Sequence, residues 1–384
     1  MSLTDPITFN ISAIVKNFNV TGEIAEAEAF GNGHINDTFL LKNKDLNSPD
    51  YLLQRINHHV FKDVPKLIDN IHLVTSYLKN KMLPGVDPGK NQKVLKLIST
   101  TDDKLFYKDE QGNYWRVYIF LAGSRSYDVV LTEQQAYEGG KAFGYFQTLL
   151  SDMDPLQLSE TIVDFHNIQK RLNDLHIAME EDVLSRVAGV GAEIDFIRER
   201  EQGMSVIYNW GRSGLLPKRI THNDTKFNNI LFDADDKAEC VIDLDTVMSG
   251  HVAYDFGDAI RTIINTTVED EPDLEKIQIN IPLFKAYAEG YINEAYAFLT
   301  DTEVESLFLG TMLLPYMQGV RFLTDYLQGD TYFKTAYLGH NLVRAKAQFQ
   351  LLIKLEEQDQ LLRQIIANTV ADHKRKYKEE KNLG

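Results

Sequence analysis

Cysteine is nearly absent from this sequence: Cys240 is the only one among 384 residues. A single cysteine excludes an intrachain disulfide framework and is typical of a protein from a reducing compartment. Uninterrupted apolar runs are also short, and none approaches the ~18 residues that a membrane-spanning helix needs. The opening stretch MSLTDPITFNISAIV lacks a basic region followed by an apolar core, so we expect no signal peptide. These absences predict a soluble, cytoplasmic protein without a membrane partner.

Positive charge is scarce as well. The chain has 40 lysine and arginine residues against 56 aspartate and glutamate residues, which gives a formal net charge of −16. Because the phosphates of nucleic acids recruit basic surfaces, this balance argues against a nucleic-acid partner. Hydrophobic residues make up 43% of the chain and charged residues 25%, as in globular proteins that are large enough for two lobes. These values do not determine the oligomeric state.

The first third of the chain has the pattern of a small sheet. Short strand-like runs (EAEAFGN, DTFLLKN, YLLQRIN, VLKLI, KLFYK and YWRVYIFL) are separated by turn residues, and DEQG predicts a hairpin between the last two. One helix is expected among them, at about residues 63–81, because apolar residues recur there at steps of three and four. We therefore predict an N-lobe built on an antiparallel sheet, residues 1–121.

Beyond Gly123 the pattern becomes helical. Helices are expected at about 133–150, 172–184 and 193–209, and again from the middle of the chain to its end. One hairpin interrupts them in NILFDADDKAECVIDLD, where ADD joins two apolar strands. The fold class predicted is thus α+β, with a larger helical C-lobe, residues 122–384, that carries this hairpin.

The stretch ITHNDTKFNNILFD contains the spacing H-x-D-x-K-x-x-N, formed by His222, Asp224, Lys226 and Asn229. Protein kinases have this spacing in their catalytic loop. Phosphoryl transfer needs a carboxylate for the proton of the attacking hydroxyl, a cation near the transferred phosphate, and oxygen ligands for Mg²⁺. We assign these roles to Asp224, Lys226 and Asn229 in turn. A polar turn with an N-capping aspartate is the structural alternative.

A second magnesium ligand is expected on the return strand of the hairpin. Asp243 ends that strand, and antiparallel pairing brings it next to Asn229, which opens the first strand. Asp245 shares the side of Asp243 if the chain stays extended, so it is a further candidate ligand. The literal DFG triplet at Asp255 lies beyond the hairpin, at the predicted start of a helix. We interpret Asp255 as a buried carboxylate that binds the catalytic-loop backbone or caps this helix, and not as a metal ligand.

These residues resemble the aminoglycoside phosphotransferase and choline kinase superfamily, whose members have H-x-D-x-x-x-x-N followed by I-D on a return strand. Within it, FGNGHINDTFLL, YLLQRINHHVF, SRSYD, FHN, THNDTKFNN and IDLDTVMSGHVAYDFGDAIR are most similar to the N-acetylhexosamine 1-kinases. The resemblance implies a bilobal, protein-kinase-like fold with ATP in the cleft between the lobes. It also implies transfer of the γ-phosphate to the anomeric hydroxyl of GlcNAc or GalNAc.

The nucleotide phosphates are expected to lie under a glycine-rich hairpin. Gly31, Gly33 and Asn36 form the pattern G-x-G-x-x-N between two strands, which lets backbone N–H groups approach phosphates closely. His34 could reach the phosphates or the sugar. A plain β-turn with an exposed histidine is the alternative for this segment.

Two further nucleotide contacts are expected in the N-lobe. Protein kinases pair a strand lysine with a helix glutamate, but YLLQRIN offers Gln54 or Arg55, and residues 57–81 contain no glutamate. Alternation allows only one of the two side chains to face the nucleotide. We assign the phosphate contact to Arg55, whose guanidinium can hold two oxygens. Backbone groups of Phe120 and Ala122 are expected to meet the adenine edge.

No motif in the sequence identifies the residues of the acceptor site. His166, Asn167 and Arg171 form a polar cluster in the C-lobe, and helical geometry allows at most two of them to contact a ligand. Tyr127 and Asp128, from SRSYD, are further candidates. For each of these residues a structural hydrogen bond is an equally good interpretation.

Three other functions stay open at this point. One is a kinase of the same fold that acts on choline, homoserine, methylthioribose or an aminoglycoside. Another is a non-catalytic, kinase-like binding protein, although Asp224, Asn229 and Asp243 are all present. The third, hydrolysis at a di-metal site, is disfavoured because no histidine-rich cluster accompanies the carboxylates.

Overall fold

The structure of this chain is a computed structural model that describes residues 9–31, 35–82 and 93–383. The chain forms two compact units. The first comprises Met1–Ser124 and Ser159–Ile162, and the second comprises Arg125–Leu158 and Val163–Gly384. None of the helices in the described ranges is both long enough and apolar enough to cross a lipid bilayer.

The first unit is built on a six-stranded antiparallel sheet with the strand order β1-β2-β3-β6-β4, and β5 also pairs with β6. Helix α2 begins where the Asp63 side chain accepts a hydrogen bond from the Lys66 N–H, and Pro65 lies in its first turn. The elements are α1 Ile11–Val15, β1 Ile24–Ala29, β2 Asp37–Asn43, β3 Tyr51–Ile56, α2 Val64–Lys81, β4 Leu97–Ile98, β5 Tyr107–Lys108 and β6 Tyr114–Ile119.

This arrangement confirms the predicted sheet and the hairpin between β5 and β6, with two corrections. The short helix α1, capped by Asn10, was not predicted. Strands β4 and β5 are each only two residues long, far shorter than the runs VLKLI and KLFYK. The reason is that both pair with the same edge of β6, since β3 occupies its other edge along the whole strand.

The second unit is mainly helical. Its helices are α3 Glu133–Leu150, α4 Ile168–Glu181, α5 Gly191–Met204, α6 Val206–Arg212, α7 Val252–Ile263, α8 Ile281–Ala295, α9 Asp301–Leu327, α10 His340–Glu356 and α11 Asp359–Leu383. Its strands form two small antiparallel pairs: β7 Arg219–Thr221 with β10 Met248–Gly250, and β8 Ile230–Phe232 with β9 Ala238–Val241.

The predicted helix at 193–209 is two helices. The Ser205 hydroxyl bonds the Glu201 carbonyl and accepts a hydrogen bond from Gln169, and the chain turns there between α5 and α6. The predicted helix at 172–184 begins earlier, because Asn167 caps α4, and it ends at Asp182, whose φ of 35° is left-handed. The β8–β9 hairpin is confirmed, whereas the pairing of β7 with β10 was not predicted.

Glycine permits the closest helix packing in this unit. A Cβ atom at Gly290 of α8 would lie 2.0 Å from the carbonyl oxygen of Tyr137 in α3, and one at Gly140 of α3 would lie 2.1 Å from the carbonyl oxygen of Tyr287 in α8. Because neither position has room for a side chain, the two helix backbones approach each other directly. This contact anchors α3, which carries Gln147 to the site described next.

Candidate active site

The candidate catalytic loop occupies residues 222–226, between β7 and β8. Strand β7 ends at Thr221, and a 3₁₀ turn, Phe227–Asn229, leads from the loop into β8. Asn229 therefore lies just before the strand, whereas the sequence predicted it as the first strand residue. The Ile242 N–H donates to the Asn229 carbonyl oxygen at 2.9 Å, which continues the hairpin pairing by one step.

Asp255 holds the backbone of this loop. Its Oδ2 accepts hydrogen bonds from the His222 N–H at 2.8 Å and the Gln147 side-chain amide at 2.7 Å, and its Oδ1 accepts one from the Asn223 N–H at 2.7 Å. Thr225 donates its hydroxyl to the Asp255 carbonyl at 2.6 Å. The predicted binding of Asp255 to the loop backbone is thus confirmed. Burial raises the pKa of Asp255 to about 6, against the effect of these donors and of His222.

His222 connects the loop to the hairpin. Its Nε2 lies 2.8 Å from the carbonyl oxygen of Ile242, and its Nδ1 accepts a hydrogen bond from the Asp224 N–H at 3.3 Å. These partners place the imidazole proton on Nε2, because Nδ1 faces a donor. The ring is fully buried, with Phe143 and Phe146 edge-on to it. The structure therefore places His222 as a support for Asp224.

Asn223 gives the loop its turn. Its φ of 65° is left-handed, a conformation that asparagine tolerates better than most residues. Its side-chain amide donates to the carbonyls of Thr221 and Thr246, and Thr246 returns a hydroxyl bond to the carbonyl of His222 at 2.7 Å. The catalytic loop and the segment around Thr246 are thus fixed to each other. Nothing in the motif spacing indicates this role for Asn223.

Asp224, Lys226 and Asn229 come together as the spacing indicates. The Lys226 ammonium lies 3.0 Å from Asp224 Oδ1, and the Asn229 side-chain amide donates to the Asp224 carbonyl at 2.8 Å and to Oδ2 at 3.3 Å. Burial acts to raise the pKa of Asp224, but the charge and hydrogen bond of Lys226 outweigh it and hold the pKa below its usual value. The charge of Asp224 in turn raises the pKa of Lys226. The site therefore presents an ionised carboxylate beside an ammonium group.

Asp243 lies one residue beyond the Ile242 N–H that bonds Asn229. Strand β9 ends at Val241, and Asp243 has a left-handed φ of 56° before the 3₁₀ turn Leu244–Thr246. The chain does not stay extended, so the condition under which Asp245 would share the side of Asp243 fails. Asp245 is buried in that turn. Aspartate is among the few non-glycine residues that are enriched in this left-handed conformation.

The donor set at this end of the loop fits a magnesium ion. The nitrogen of the Asn229 side-chain amide faces Asp224, and in the described ranges no hydrogen bond is donated to its oxygen, Oδ1. The described residues contain no group of three or more His, Cys, Asp and Glu side chains that could hold a metal ion. Mg²⁺ is ordinarily bound by one or two carboxylates together with phosphates and water. Asn229 and Asp243 meet that smaller requirement.

The predicted acceptor residues at the N-terminal end of α4 make structural contacts. His166 Nε2 lies 3.0 Å from the carbonyl oxygen of Asn223, next to Asp224, and burial lowers the pKa of His166 to about 4. The Asn167 side chain caps α4. Arg171 donates from Nη2 to the carbonyls of Asp164 and Phe165, and burial lowers its pKa. Of the three side chains, all within the described ranges, that of His166 alone has a hydrogen bond to the catalytic loop.

The SRSYD residues belong to the hairpin. The Tyr127 hydroxyl donates to Asp236 in the β8–β9 turn, and this bond raises the pKa of Tyr127. Asp128 accepts a hydrogen bond from the Asn228 amide at 3.1 Å. Both side chains are thus engaged in structural contacts of the kind that the alternative interpretation expects. Their assignment to the acceptor stays a prediction.

In the first unit, the side chains of Arg55 and Gln54 lie on opposite faces of the sheet. Arg55 lies on the face of the sheet that carries Trp115, forms an ion pair with Asp37, and packs over Phe9. Gln54 lies on the opposite face, where Arg116 donates to its side-chain oxygen at 2.9 Å. The guanidinium of Arg55 is thus already engaged by a carboxylate, which weakens its assignment as a phosphate contact.

The predicted phosphate-covering hairpin is described in part. Gly31 has a left-handed φ of 75°, and Asn36 accepts a hydrogen bond from the Asn57 N–H at 2.9 Å. Gly33 and His34 lie outside the described residues. Phe120 donates its N–H to the Asp50 carbonyl, and Ala122 is exposed. Antiparallel pairing of β1 with β2 confirms that this segment joins two hairpin strands.

Three residues near the loop were not predicted. Asp258 and Arg261 form a buried ion pair on α7 at 2.9 Å, and Glu269 binds the same guanidinium at 2.8 Å. The charges of Asp258 and Arg261 both act on the pKa of Lys226, so they lie near it. Asp258 follows the DFG triplet directly, and the triplet draws attention to Asp255 instead. Spacing alone could have found it, because it lies one helical turn beyond Asp255.

The guanidinium of Arg321 lies against three aromatic rings. Its Cζ is 5.5 Å from the ring centre of Phe165, 5.8 Å from that of Tyr332 and 5.3 Å from that of Phe333. Asp325 holds the last two residues by accepting their backbone N–H groups at 2.7 and 2.9 Å. The charge of Arg321 lowers the pKa of both His166 and Arg171, so the three side chains form one cluster.

Comparison with known proteins agrees with this geometry. The model of the phosphotransferase enzyme family matches residues 26–299, more than half of the chain. Among solved structures, the microcompartment-associated aminopropanol kinase is 12% identical, with a TM-score of 0.62 and coverage of 92% of this chain and 98% of that one. Spectinomycin phosphotransferase in complex with ADP and spectinomycin is 12% identical, with a TM-score of 0.59 and coverage of 92% and 100%.

A choline kinase from Cryptosporidium parvum Iowa II is also similar. It is 15% identical to this chain, with a TM-score of 0.56 and coverage of 92% of this chain and 96% of that one. At such identities the likeness shows the fold alone. It confirms the predicted α+β, protein-kinase-like fold.

Proposed function

Since the chain belongs to the phosphotransferase enzyme family and is a small-molecule kinase of that type, we propose that ATP is its phosphoryl donor and the anomeric hydroxyl of an N-acetylhexosamine its acceptor. The product is then the 1-phosphate of GlcNAc or GalNAc. The observation that carries the phosphoryl transfer is the cluster of Asp224, Lys226 and Asn229 on a loop fixed by Asp255. The sugar assignment is supported by the sequence resemblance.

Asp224 is the base in this proposal. Its lowered pKa keeps the carboxylate ionised at neutral pH, so it accepts a hydrogen bond from the acceptor hydroxyl. As the hydroxyl oxygen forms its bond to the γ-phosphorus, the proton passes to Asp224, the bond to the β–γ bridging oxygen breaks, and ADP leaves. The Lys226 ammonium, 3.0 Å from Asp224, lies beside this proton transfer and stabilises the negative charge of the transferred group.

Magnesium completes the donor side. When bound, it supplies positive charge to the phosphate oxygens as they gain negative charge. Asn229 and Asp243 would hold it, and the 3₁₀ turns that begin and end at these residues fix their backbone. Neither residue needs to move a proton, so their role is separate from that of Asp224.

A cationic acceptor is the main alternative to a sugar. The net charge of −16 would suit a cation such as choline or an aminoglycoside. Arg171 and Arg321, which both act on the pKa of His166, would repel an ammonium group placed beside them, whereas the carboxylates of Asp224 and Asp258 would attract one. Charge alone therefore does not select the acceptor. The aromatic rings and planar hydrogen-bonding groups of this cluster are of the kind that bind a neutral sugar.

The test is ADP release with Mg·ATP over a panel of acceptors: GlcNAc, GalNAc, their 1-O-methyl glycosides, homoserine, choline and one aminoglycoside. We expect turnover with the two free sugars and none with the methyl glycosides, because methylation blocks the anomeric hydroxyl. Turnover with choline or the aminoglycoside alone would refute the sugar assignment but not the kinase. Equal turnover with the methyl glycosides would move the reaction to another hydroxyl.

A further inference from the structure

Asp258 lies on the face of α7 that supports the catalytic loop. Asp255, three residues earlier, binds the N–H groups of His222 and Asn223. Residues three apart share one face of a helix, and the rise between them is about 4.5 Å. Asp258 therefore continues this face by one turn beyond the loop backbone. Its side chain is only 8% exposed.

Only one oxygen of this carboxylate is engaged. Arg261 donates to Asp258 Oδ1 from Nη2 at 2.9 Å and from Nε at 3.3 Å. In the described part of the chain, Oδ2 is buried and has no hydrogen-bond partner. Buried polar atoms in folded proteins almost always have a partner, and a carboxylate oxygen without one is costly. This oxygen therefore needs a donor.

The groups around Asp258 belong to the candidate acceptor side. The charge of Asp258 acts together with that of Asp224 to raise the pKa of Lys226, and it opposes the burial that lowers the pKa of His166, so Asp258 lies within electrostatic reach of both side chains. His166 is in turn bonded to the carbonyl of Asn223, beside Asp224. The charge of Arg171 also acts on the pKa of His166. In the described ranges the Nε–H of Arg171 is buried without an acceptor, so Arg171 too has an unengaged atom. In the described ranges, a residue with an unengaged acceptor atom and a residue with an unengaged donor atom thus both act electrostatically on His166.

We propose that Asp258 is a specificity-determining residue of the acceptor site, whose Oδ2 accepts a hydrogen bond from a hydroxyl of the bound acceptor other than the one that is phosphorylated. The Nε–H of Arg171 donates to an oxygen of the same molecule. Such a pair selects an acceptor with several hydroxyl or amide groups over one with a single hydroxyl. This inference rests on the proposed function, since it describes how that acceptor is held.

The test combines a protein variant with modified substrates, so that the same hydrogen bond is removed first from the protein, then from the sugar, and then from both. Steady-state rates are measured for the wild type and D258N with GlcNAc and GalNAc and with their 3-, 4- and 6-monodeoxy analogues. With the parent sugars we expect D258N to raise the acceptor KM by about 10- to 100-fold, as for loss of a hydrogen bond to a charged group, while the KM for ATP stays unchanged. With the wild type, one deoxy analogue should raise the acceptor KM by the same factor relative to its parent sugar. D258N should not raise the KM for that analogue any further.

E269Q is the matched control, because Glu269 is the other carboxylate on Arg261 and is far more exposed than Asp258. If Asp258 served only to neutralise Arg261, both variants would change the kinetics alike. Equal acceptor KM values for D258N and the wild type would overturn the inference. A further rise in KM with every deoxy analogue when Asp258 is replaced by asparagine would also overturn it, because none of the tested hydroxyls would then be the partner of Asp258.

A contact inside the protein is the main rival. The Tyr287 hydroxyl is buried without a partner in the described ranges. Burial raises its pKa, and the charge of Asp258 adds to this effect. If Tyr287 were the missing donor, Y287F and D258N would lower the melting temperature alike and leave the acceptor KM unchanged. Should D258N fail to fold, R171K keeps the positive charge, removes the Nε–H, and must raise the acceptor KM for the inference to stand.

The same assay separates the two proposals. If the wild type turns over none of the sugars but another acceptor of the panel, the proposed function fails, and D258N is compared with the wild type on that acceptor. An unchanged KM there overturns the role of Asp258 as well. Absence of turnover with every acceptor overturns both proposals.

Discussion

Replacement of Asp255 by asparagine separates a structural from a metal-binding role for the DFG aspartate. The carboxylate accepts three hydrogen bonds, from His222 and Asn223 in the backbone and from the Gln147 side chain. Asparagine keeps one acceptor oxygen and turns the other position into a donor. At least one buried N–H of the loop then loses its partner, which costs about 1–3 kcal/mol. The bonds that remain are weaker, since bonds to an ionised acceptor are roughly twice as strong as neutral ones.

We therefore expect D255N to lower the free energy of unfolding by about 2–4 kcal/mol. The gain from removing a buried charge offsets part of the loss, because burial already raises the pKa of Asp255 to about 6. At about 2–4 °C per kcal/mol for a domain of this size class, the melting temperature falls by about 4–16 °C. Differential scanning calorimetry measures this shift, and titration with Mg·ATP at a temperature where the variant is folded measures nucleotide affinity.

D243N is the matched comparison. Asparagine tolerates the left-handed φ of 56° at this position as aspartate does, so the backbone should be unaffected. We expect D243N to bind Mg·ATP weakly and to melt within about 3 °C of the wild type, the shift of 1 kcal/mol. The opposite pattern, a stable D255N that has lost its magnesium dependence and a destabilised D243N that keeps it, would refute the reasoning and return the metal to the DFG aspartate.

Three other predictions follow from single contacts. D224N should lower kcat by about 100- to 10,000-fold, the usual contribution of a general base, with ATP affinity unchanged; near-normal turnover would remove Asp224 from that role. Burial lowers the pKa of His166 from 6.5 to about 4, so the neutral imidazole stabilises the fold fully above pH 6.5 and this stabilisation is lost as the pH falls toward 4; between pH 6.5 and 4 the free energy of unfolding, measured in urea, should fall by about 3 kcal/mol less for H166Q than for the wild type, and an equal fall would contradict the shift. G290A places a Cβ 2.0 Å from a carbonyl of α3 and should destabilise by about 2–3 kcal/mol or more, whereas G203A, at an open position in α5, should be neutral or slightly stabilising in the same melts.

The sequence predicted the parts of the site that local spacing controls. The loop motif and the hairpin lie within some twenty residues of one another, and antiparallel pairing leaves little freedom, so the spacing alone is enough to bring Asp224, Lys226 and Asn229 together. The left-handed residues could not be predicted, because asparagine and aspartate are enriched at positive φ but adopt ordinary conformations as well. The Asn223 side chain accepts a hydrogen bond from the nearby Thr221 hydroxyl and donates one to the carbonyl of Thr246, and the second bond joins segments that are distant in sequence.

The face of the sheet to which a side chain points was the other feature that the sequence did not determine. Alternation along β3 left Gln54 and Arg55 as equal alternatives, and the choice of Arg55 rested on its chemistry. The structure shows that the register to β2 places Asp37 opposite Arg55, and this partner lies on another strand. The acceptor candidates raise the same difficulty, because a polar side chain that caps a helix, as Asn167 does, looks in sequence like one that awaits a ligand.

Four cations lie near the catalytic loop of a chain whose net charge is strongly negative. A formal charge of −16 repels anions at long range, yet Lys226, Arg261, Arg171 and Arg321 all act on the pKa values of the loop or of its neighbour His166. Long-range repulsion is screened beyond about 8 Å at physiological ionic strength, whereas a buried cation such as Arg261, 5% exposed, is screened little. Anions near this loop therefore experience the local groups more than the net charge. For this reason, raising the salt concentration should affect the association of ATP with the protein more than the proposed proton transfer to Asp224.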